Sequence, residues 1–213
     1  GWPIWRGTHV DPGHFPRLLR SLADQDVGAV PTPSPIVLDT PSPAAAADGI
    51  LQAVRDAYDP VSRGFALEGG AGGPRFAHFE AIELLLDGGV VADRTIALDA
   101  LRQIMDRLWD CVGGGLRRYA SGPDWSDVHG EKLLVDQATL VATLARAGAM
   151  GSEFRDLAAH ALEWAVVHFR LDNGAFAASL RPLQGEVPAA WPVPRLDRSI
   201  SIDWNARLVS AQQ

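Results

Sequence analysis

Residues 113–140 read GGGLRRYASGPDWSDVHGEKLLVDQATL. Three glycines stop the apolar helical stretch before them, and a Gly/Pro/Trp-containing loop follows. Leu133, Leu134, Gln137, Ala138, Val141 and Leu144 then recur at helical spacing, which predicts a helix from about Gly130 to Arg146. Of the 19 Lys and Arg side chains in the chain, one is a lysine, Lys132. With Asp136, Thr139 and Thr143 it falls at i, i+4, i+7 and i+11, a second face of that helix. Two readings of the face stand side by side. One is a solvated stripe whose Lys–Asp pair is worth about 0.3–0.5 kcal/mol. The other is a cavity wall, where Lys132 is held by Asp136 or Glu131 next to Arg118 or Tyr119. There desolvation tunes its acidity for proton transfer.

Outward from this stretch the period stays helical. A short helix is expected over about Phe15 to Asp24. PTPSPIVLDTPSP (31–43) is so proline-rich that it reads as an extended linker. Beyond it Ser42 and Pro43 can open a helix carrying Ile50, Leu51, Val54, Ala57 and Tyr58. The next carries Phe79, Ile82, Leu85 and Leu86 and ends at Gly88-Gly89. A third is expected to start near Asp93 as its cap and to bury Leu98, Leu101, Ile104, Met105, Leu108 and Trp109. Further helices run from Ser152 to Phe169 and from DWNARLVSAQQ at the end. Alternating strand patterns are scarce. The chain is expected to be mostly α, built of helical hairpins with long glycine-rich connections on one side, where a site belongs.

With 47% hydrophobic residues the 213-residue chain can bury a substantial core, and its net charge of −7 argues against a nucleic-acid partner. No apolar run is long enough for a transmembrane segment, and no signal peptide is visible, so a cytoplasmic location is expected. The single cysteine, Cys111, excludes an internal disulfide or a CxxC site. No pattern for a metal or cofactor is present, so none is expected.

Several side chains are candidates for chemistry. His129, at the start of the expected helix, would be disfavoured in its protonated form by the positive helix end. Asp124 and Glu131 could supply paired carboxylates. Arg118 and Tyr119, after the glycines, could hold an anionic or hydroxylated ligand. Trp125, Trp191 and Trp204 stand on or next to loops, where an indole face can stack on a sugar. Each also has a plain structural reading: a surface histidine, a paired arginine, a core tryptophan.

VGGGLRRYASGPDWSDVHGEKLLVDQATL resembles the GGGFxRYSxDxxWxVPHFEKMLYDNAxL motif of the YyaL-like thioredoxin-domain proteins, the bacterial relatives of the spermatogenesis-associated thioredoxin-like family. GWP, RGTHVDPGHFPRLL, DPVSRGFALEGGAGGPRF and SIDWNARLVSA resemble further motifs of that family in order, and Arg75 falls in the third of these. The resemblance implies an N-terminal thioredoxin-like domain and an (α/α) toroid similar to those of six-hairpin glycosidases and sugar epimerases. Most of the thioredoxin-like domain is absent, and the proline before His129 is Val128.

The expected organisation is a thioredoxin-like remnant over 1–30, a Pro-rich linker over 31–45 and a partial (α/α) toroid over 46–213. The leading functional expectation is a degenerate, non-catalytic scaffold or subunit, with a protein partner or oligomer covering exposed helix faces. The alternative is a small-molecule enzyme, a sugar epimerase, isomerase or glycosidase. It would use His129, Glu131, Lys132 and Asp136, with Arg75, Arg118, Tyr119, Asp124, Trp125 and Trp204 around a small polar or sugar-like ligand.

Overall fold

The computed structural model describes residues 13–24, 42–66, 72–181 and 195–211. The chain divides into two units between Ser42 and Pro43. In the first, helix α1 (Phe15–Ala23) begins with a proline in its first turn, and Arg20 Nε donates to the Pro16 carbonyl at 3.1 Å. The rest of the expected thioredoxin-like remnant and nearly all of the Pro-rich linker lie outside the described residues.

The second unit is a succession of helices: α2 (Pro43–Ala57), α3 (Phe79–Asp87), α4 (Val91–Leu108), α5 (Leu134–Ala147), α6 (Ser152–Phe169) and α7 (Ile202–Ser210). Helix α3 packs on α4 and α5 on α6 as hairpins, while α3, α5 and α7 pack one on the next as an inner row. Two turns are short, 88–90 and 148–151. The connections leading into the inner row are long and lie at the opposite end: 58–78, 109–133 and 170–201. Apolar faces of α3 to α6 form one core with Phe65, Ile82, Leu101, Leu108 and Phe154, and Phe169, Leu134 and Leu208 centre a second.

Helix α4 starts earlier than its sequence pattern suggests. Its cap is Val90, and Asp93 lies inside the first turn. There Asp93 is buried and takes two hydrogen bonds from Arg55 of α2, 2.8 and 2.7 Å. This ion pair between helices uses the residue that was expected to cap. Helix α5 starts later than expected, at Leu134, because residues 132–133 are drawn into a strand.

The long connections fold into small antiparallel sheets. The first holds β1 (Tyr58–Asp59) and β2 (Gly64–Phe65). The second joins β3 (Arg75–Phe76), β4 (Tyr119–Ala120) and β5 (Val128–His129), and the third β6 (Lys132–Leu133), β7 (Ser179–Arg181) and β8 (Arg195–Asp197). The β3–β4 and β6–β7 pairings each join one connection to the next.

The three connections repeat one design. Just past each outer helix a residue pairs with another a few positions on: Tyr58 with Phe65, Trp109 with Leu116, Arg170 with Phe176. The next N–H then returns to the last helical carbonyl, Ala66 to Ala57, Arg117 to Leu108 and Ala177 to Phe169, at 2.8, 2.9 and 2.9 Å. On two of the inner helices the fourth residue is an amide that grips the loop backbone from both sides. Gln137 Oε1 accepts from Leu116 N–H and Nε2 donates to Leu116 C=O, both at 2.8 Å. Asn205 does the same to Phe176 at 2.7 and 3.0 Å. Leu116 and Phe176 are buried, so without these amides their polar groups would have no water to turn to. The fourth residue of α3 is Ile82, so the device occurs in two of the three repeats.

Replacing Gln137 by Met keeps the side-chain volume and removes both bonds. Two buried backbone groups left unpaired should cost about 2 kcal/mol or more. A lowered denaturant midpoint with an unchanged m-value would show it, and a change within about 0.5 kcal/mol, the surface level, would refute the clamp.

Candidate active site

A cleft of about 370 Å³ opens where the long connections meet the inner helices, lined by Phe76, His78, Glu80, Arg118, Asp136 and Arg207 among others. Helices α3, α5 and α7 contribute by register. Glu80 and Val135 are the second residues of α3 and α5, Asp136 is the third of α5, and Thr139 and Arg207 are the sixth of α5 and α7.

Asp136 is the chemically distinctive group. Burial pushes its carboxyl up to about 6; the Arg118 charge works against this, and the Glu131 and Glu80 charges add to it. A carboxyl near 6 can give or take a proton at neutral pH. His78 caps α3 with φ at 44°, in the left-handed region that costs a non-glycine residue about 1 kcal/mol or more. Its ring meets Phe76 and Phe65 edge-on, at centroid distances of 6.0 and 6.5 Å.

Of the residues expected to do chemistry, Arg118 and Asp136 come together in this cleft. Glu131 stands behind Arg118: buried, it pairs with Arg118 at 3.0 Å and with Arg181 at 2.9 Å. Tyr119 and His129 lie beside the cleft in a cross-strand row with Phe76. Their rings are near-parallel, with centroids 5.0 Å (Phe76–Tyr119) and 4.9 Å (Tyr119–His129) apart. His129 is therefore exposed on an edge strand, and not at the start of helix α5 as expected.

Lys132 is half-buried and bound to a carboxylate, but not to either expected partner. Its ammonium sits 2.9 Å from Asp110 and 2.5 Å from the Gly114 carbonyl, with Trp164 beneath it at 5.1 Å. The strand at 132–133 takes Lys132 off the helical face it would have shared with Asp136. Gly114 and Gly115, both at positive φ, lie flat on Trp164, where an added Cβ would come within 2.4 and 2.3 Å of the indole. Burial opposes ionisation of Asp110, yet the Lys132 ammonium and the N–H groups of Gly113 and Val112 hold its carboxyl down at about 2. An ion pair at the corresponding place recurs in each repeat, joining a cation ahead of the inner helix to the acid behind the outer one, confined in the first two repeats and exposed in the third. Arg75 holds Asp59 at 3.0 Å and Arg198 holds Asp172 at 3.4 Å.

Arg75 is accordingly a structural arginine, 1% exposed, whose Nε also donates to the Pro123 carbonyl at 2.8 Å. Trp125 is core, with its indole N–H on the Ser62 carbonyl at 2.7 Å. Asp124 closes an exposed turn by accepting from Ser126 and does not pair with Glu131. Trp204 packs half-buried against the second core and is not among the residues lining the cleft. Trp191 lies outside the described residues. His78, Glu80 and Arg207 escaped the sequence reading. Aligning the three inner helices on their first residues would have found Glu80 and Arg207 as the counterparts of Val135 and Thr139.

Among the described residues no group of three or more His, Cys, Asp or Glu is placed to hold a metal ion, and no helix is long and apolar enough to cross a membrane. No family model matches the chain, and no curated protein does. Solved structures do. Cellobiose 2-epimerase from Bacillus thermoamylovorans is similar over 77% of this chain at 13% identity, with a TM-score of 0.58. A D-mannose isomerase is similar over 81% at 13% identity, with a TM-score of 0.57. A family 76 glycoside hydrolase, a mannosidase, from Bacteroides thetaiotaomicron is similar over 67% at 15% identity, with a TM-score of 0.53. The chain spans 49, 46 and 38% of their lengths. The fold is that of the (α/α) toroids.

Lys132→Arg puts a larger, planar cation between Asp110, Gly114 and Trp164, and should cost about 1 kcal/mol or more. Thermal unfolding at the wild-type midpoint would contradict this.

Asp136 makes a pH-dependent prediction. Its folded value of about 6 lies above the usual unfolded value of about 3.9, so its ionisation destabilises the fold as pH rises from about 4 to about 6. Asp136→Asn should therefore be more stable than the wild type by about 1–2 kcal/mol at pH 7.5, with the gain gone below about pH 4. Lower stability of the variant at pH 7.5 would overturn the assignment.

Proposed function

We propose that this chain is a carbohydrate-active domain in which Asp136 exchanges a proton with a sugar held between Arg118 and the aromatic wall of the cleft. The observation that carries this is the Asp136 carboxyl, raised to about 6, in a cleft at the loop end of the inner helices. An acid or base contributes most when its pKa lies near the working pH, and few structural carboxylates are kept in that range. The toroid fold, which this chain has in common with sugar epimerases, an isomerase and glycosidases, supports the sugar by analogy. Phe76 offers an apolar wall for the C–H face of a pyranose, and the Arg118 guanidinium donates to its hydroxyls.

Glu80 is the second carboxylate lining the cleft. A proton donor and a carboxylate across one cleft fit hydrolysis through a water, and a proton donor beside His78 fits epimerisation or isomerisation next to a carbonyl. The resemblance to the YyaL-like proteins belongs to the same proposal, since Arg118, Tyr119 and Asp136 fall in the motif that carries it. A scaffold role has no comparable observation behind it among the described residues.

The test is a panel of mono- and disaccharides, read by thermal shift and by product analysis in deuterated water. Deuterium at a sugar carbon marks epimerisation or isomerisation, and a new reducing end marks hydrolysis. With a converted sugar, Asp136→Asn should lower kcat about 100-fold or more, and Arg118→Met should raise KM about tenfold. No ligand-dependent shift and no conversion of any sugar would sink the proposal.

A further inference from the structure

Glu131 is the most heavily engaged carboxylate near the cleft, yet it does not line it. It is 8% exposed, and each of its oxygens serves a different arginine. Oε2 lies 3.0 Å from Arg118 Nη1, and Oε1 lies 2.9 Å from Arg181 Nε. The two residues are also tied through the main chain, Arg118 N–H donating to the Glu131 carbonyl at 2.9 Å. Arg181 belongs to the next connection, on β7, and extends to Asp197 of β8 at 3.8 Å. The β6–β7 pairing, Lys132 opposite Leu180, brings Arg181 up to Glu131. Arg118 by contrast is 46% exposed, and a long side chain that open has no other carboxylate within ion-pairing distance among the described residues.

We infer that Glu131 is a positioning residue: anchored from behind by Arg181, it aims the Arg118 guanidinium at Asp136 and touches no substrate itself. This rests on the reading of Asp136 as the proton-transfer group. It also makes the third connection part of the site, although no side chain from β7 or β8 is among the cleft's lining residues.

The geometry has a consequence that a merely structural salt bridge would not have. Among the described residues, the charged and titratable groups lining the cleft with Asp136 are His78 and Glu80 from α3 and its cap, Arg118 from the second connection and Arg207 from α7, while the Glu131 charge acts from behind Arg118. Arg118 lowers the Asp136 midpoint more than Glu131 raises it. If Glu131 only supplied a nearby negative charge, neutralising it would lower the midpoint. If it holds Arg118 in place, neutralising it releases Arg118 to solvent, the larger influence is lost, and the midpoint rises.

The experiment is a carbon-detected NMR titration of the Asp136 carboxyl in the wild type, Glu131→Gln, Arg118→Met and the double variant. Positioning predicts that Glu131→Gln raises the midpoint by about half a pH unit or more, as Arg118→Met does. It further predicts that adding Glu131→Gln to Arg118→Met lowers the midpoint. Should Glu131→Gln fail to fold, Glu131→Asp keeps a buried carboxylate and draws Arg118 back from the cleft, so it too should raise the midpoint. A fall or no change in the single Glu131 variant that folds would overturn the inference. The titration needs no substrate. Failure to convert any sugar would therefore remove the functional reading, while the sign of this shift decides the positioning separately.

Discussion

The two hydrogen bonds between Gln137 and the backbone of Leu116 set the geometry on which the rest depends. A loop residue buried against helices must have its N–H and C=O satisfied, and an amide side chain, with one donor group and one acceptor, can do both from a single position. This clamp joins a point in the second connection to one turn of α5. Arg118 leaves the loop two residues beyond Leu116, and Asp136 directly precedes Gln137. The clamp therefore brings guanidinium and carboxyl to one cleft. Asn205 and Phe176 repeat the arrangement on α7 and hold the third connection, from which Arg181 reaches Glu131.

Within one stretch of about 25 residues, two carboxylates are driven in opposite directions. Asp110 has the Lys132 ammonium and two backbone N–H groups against it, and stays ionised down to about 2. Its contribution to stability is present above about pH 4, the usual unfolded value, and is lost as the pH falls toward 2. Asp136, half-buried with one opposing arginine and two like charges nearby, is pushed up to about 6 by desolvation and destabilises the fold when ionised. Asp110 contributes stability in the range where Asp136 subtracts it. A desolvated acid that costs stability and lines a cleft is a common mark of a working site.

The helices were legible because their apolar spacing is regular, and Ser152–Phe169 matches the sequence reading to the residue. The start of α5 was not, because the β6–β7 pairing of Lys132 with Leu180, 48 positions away, overrides the helical pattern at 132–133. That single shift explains why Asp136 and Thr139 face the cleft as the stripe suggested while Lys132 faces Asp110 instead. The lone lysine did mark a confined place; its partner, 22 residues earlier in the chain, could not be read from helical spacing. Trp125 and Arg75 looked available for a ligand because they sit among glycines and prolines. Those loops turn inward, and both side chains satisfy loop carbonyls in the interior. The repeat of outer helix, loop and inner helix was present in the sequence as YDPVSRGF, WDCVGGGL and RLDNGAF, too divergent in residue type to stand out without the hydrogen bonds they make in common.

Proton transfer in the cleft requires that the toroid's loops and inner helices together hold one carboxyl out of its ordinary range. The most direct measurement is the carboxyl-carbon titration of Asp136 in the intact wild-type chain, followed by NMR between pH 3 and 9. The structure predicts a midpoint of about 6. A midpoint at the ordinary aspartate value of about 3.9 would mean that water reaches Asp136 freely, and would contradict the cleft as a site of proton transfer.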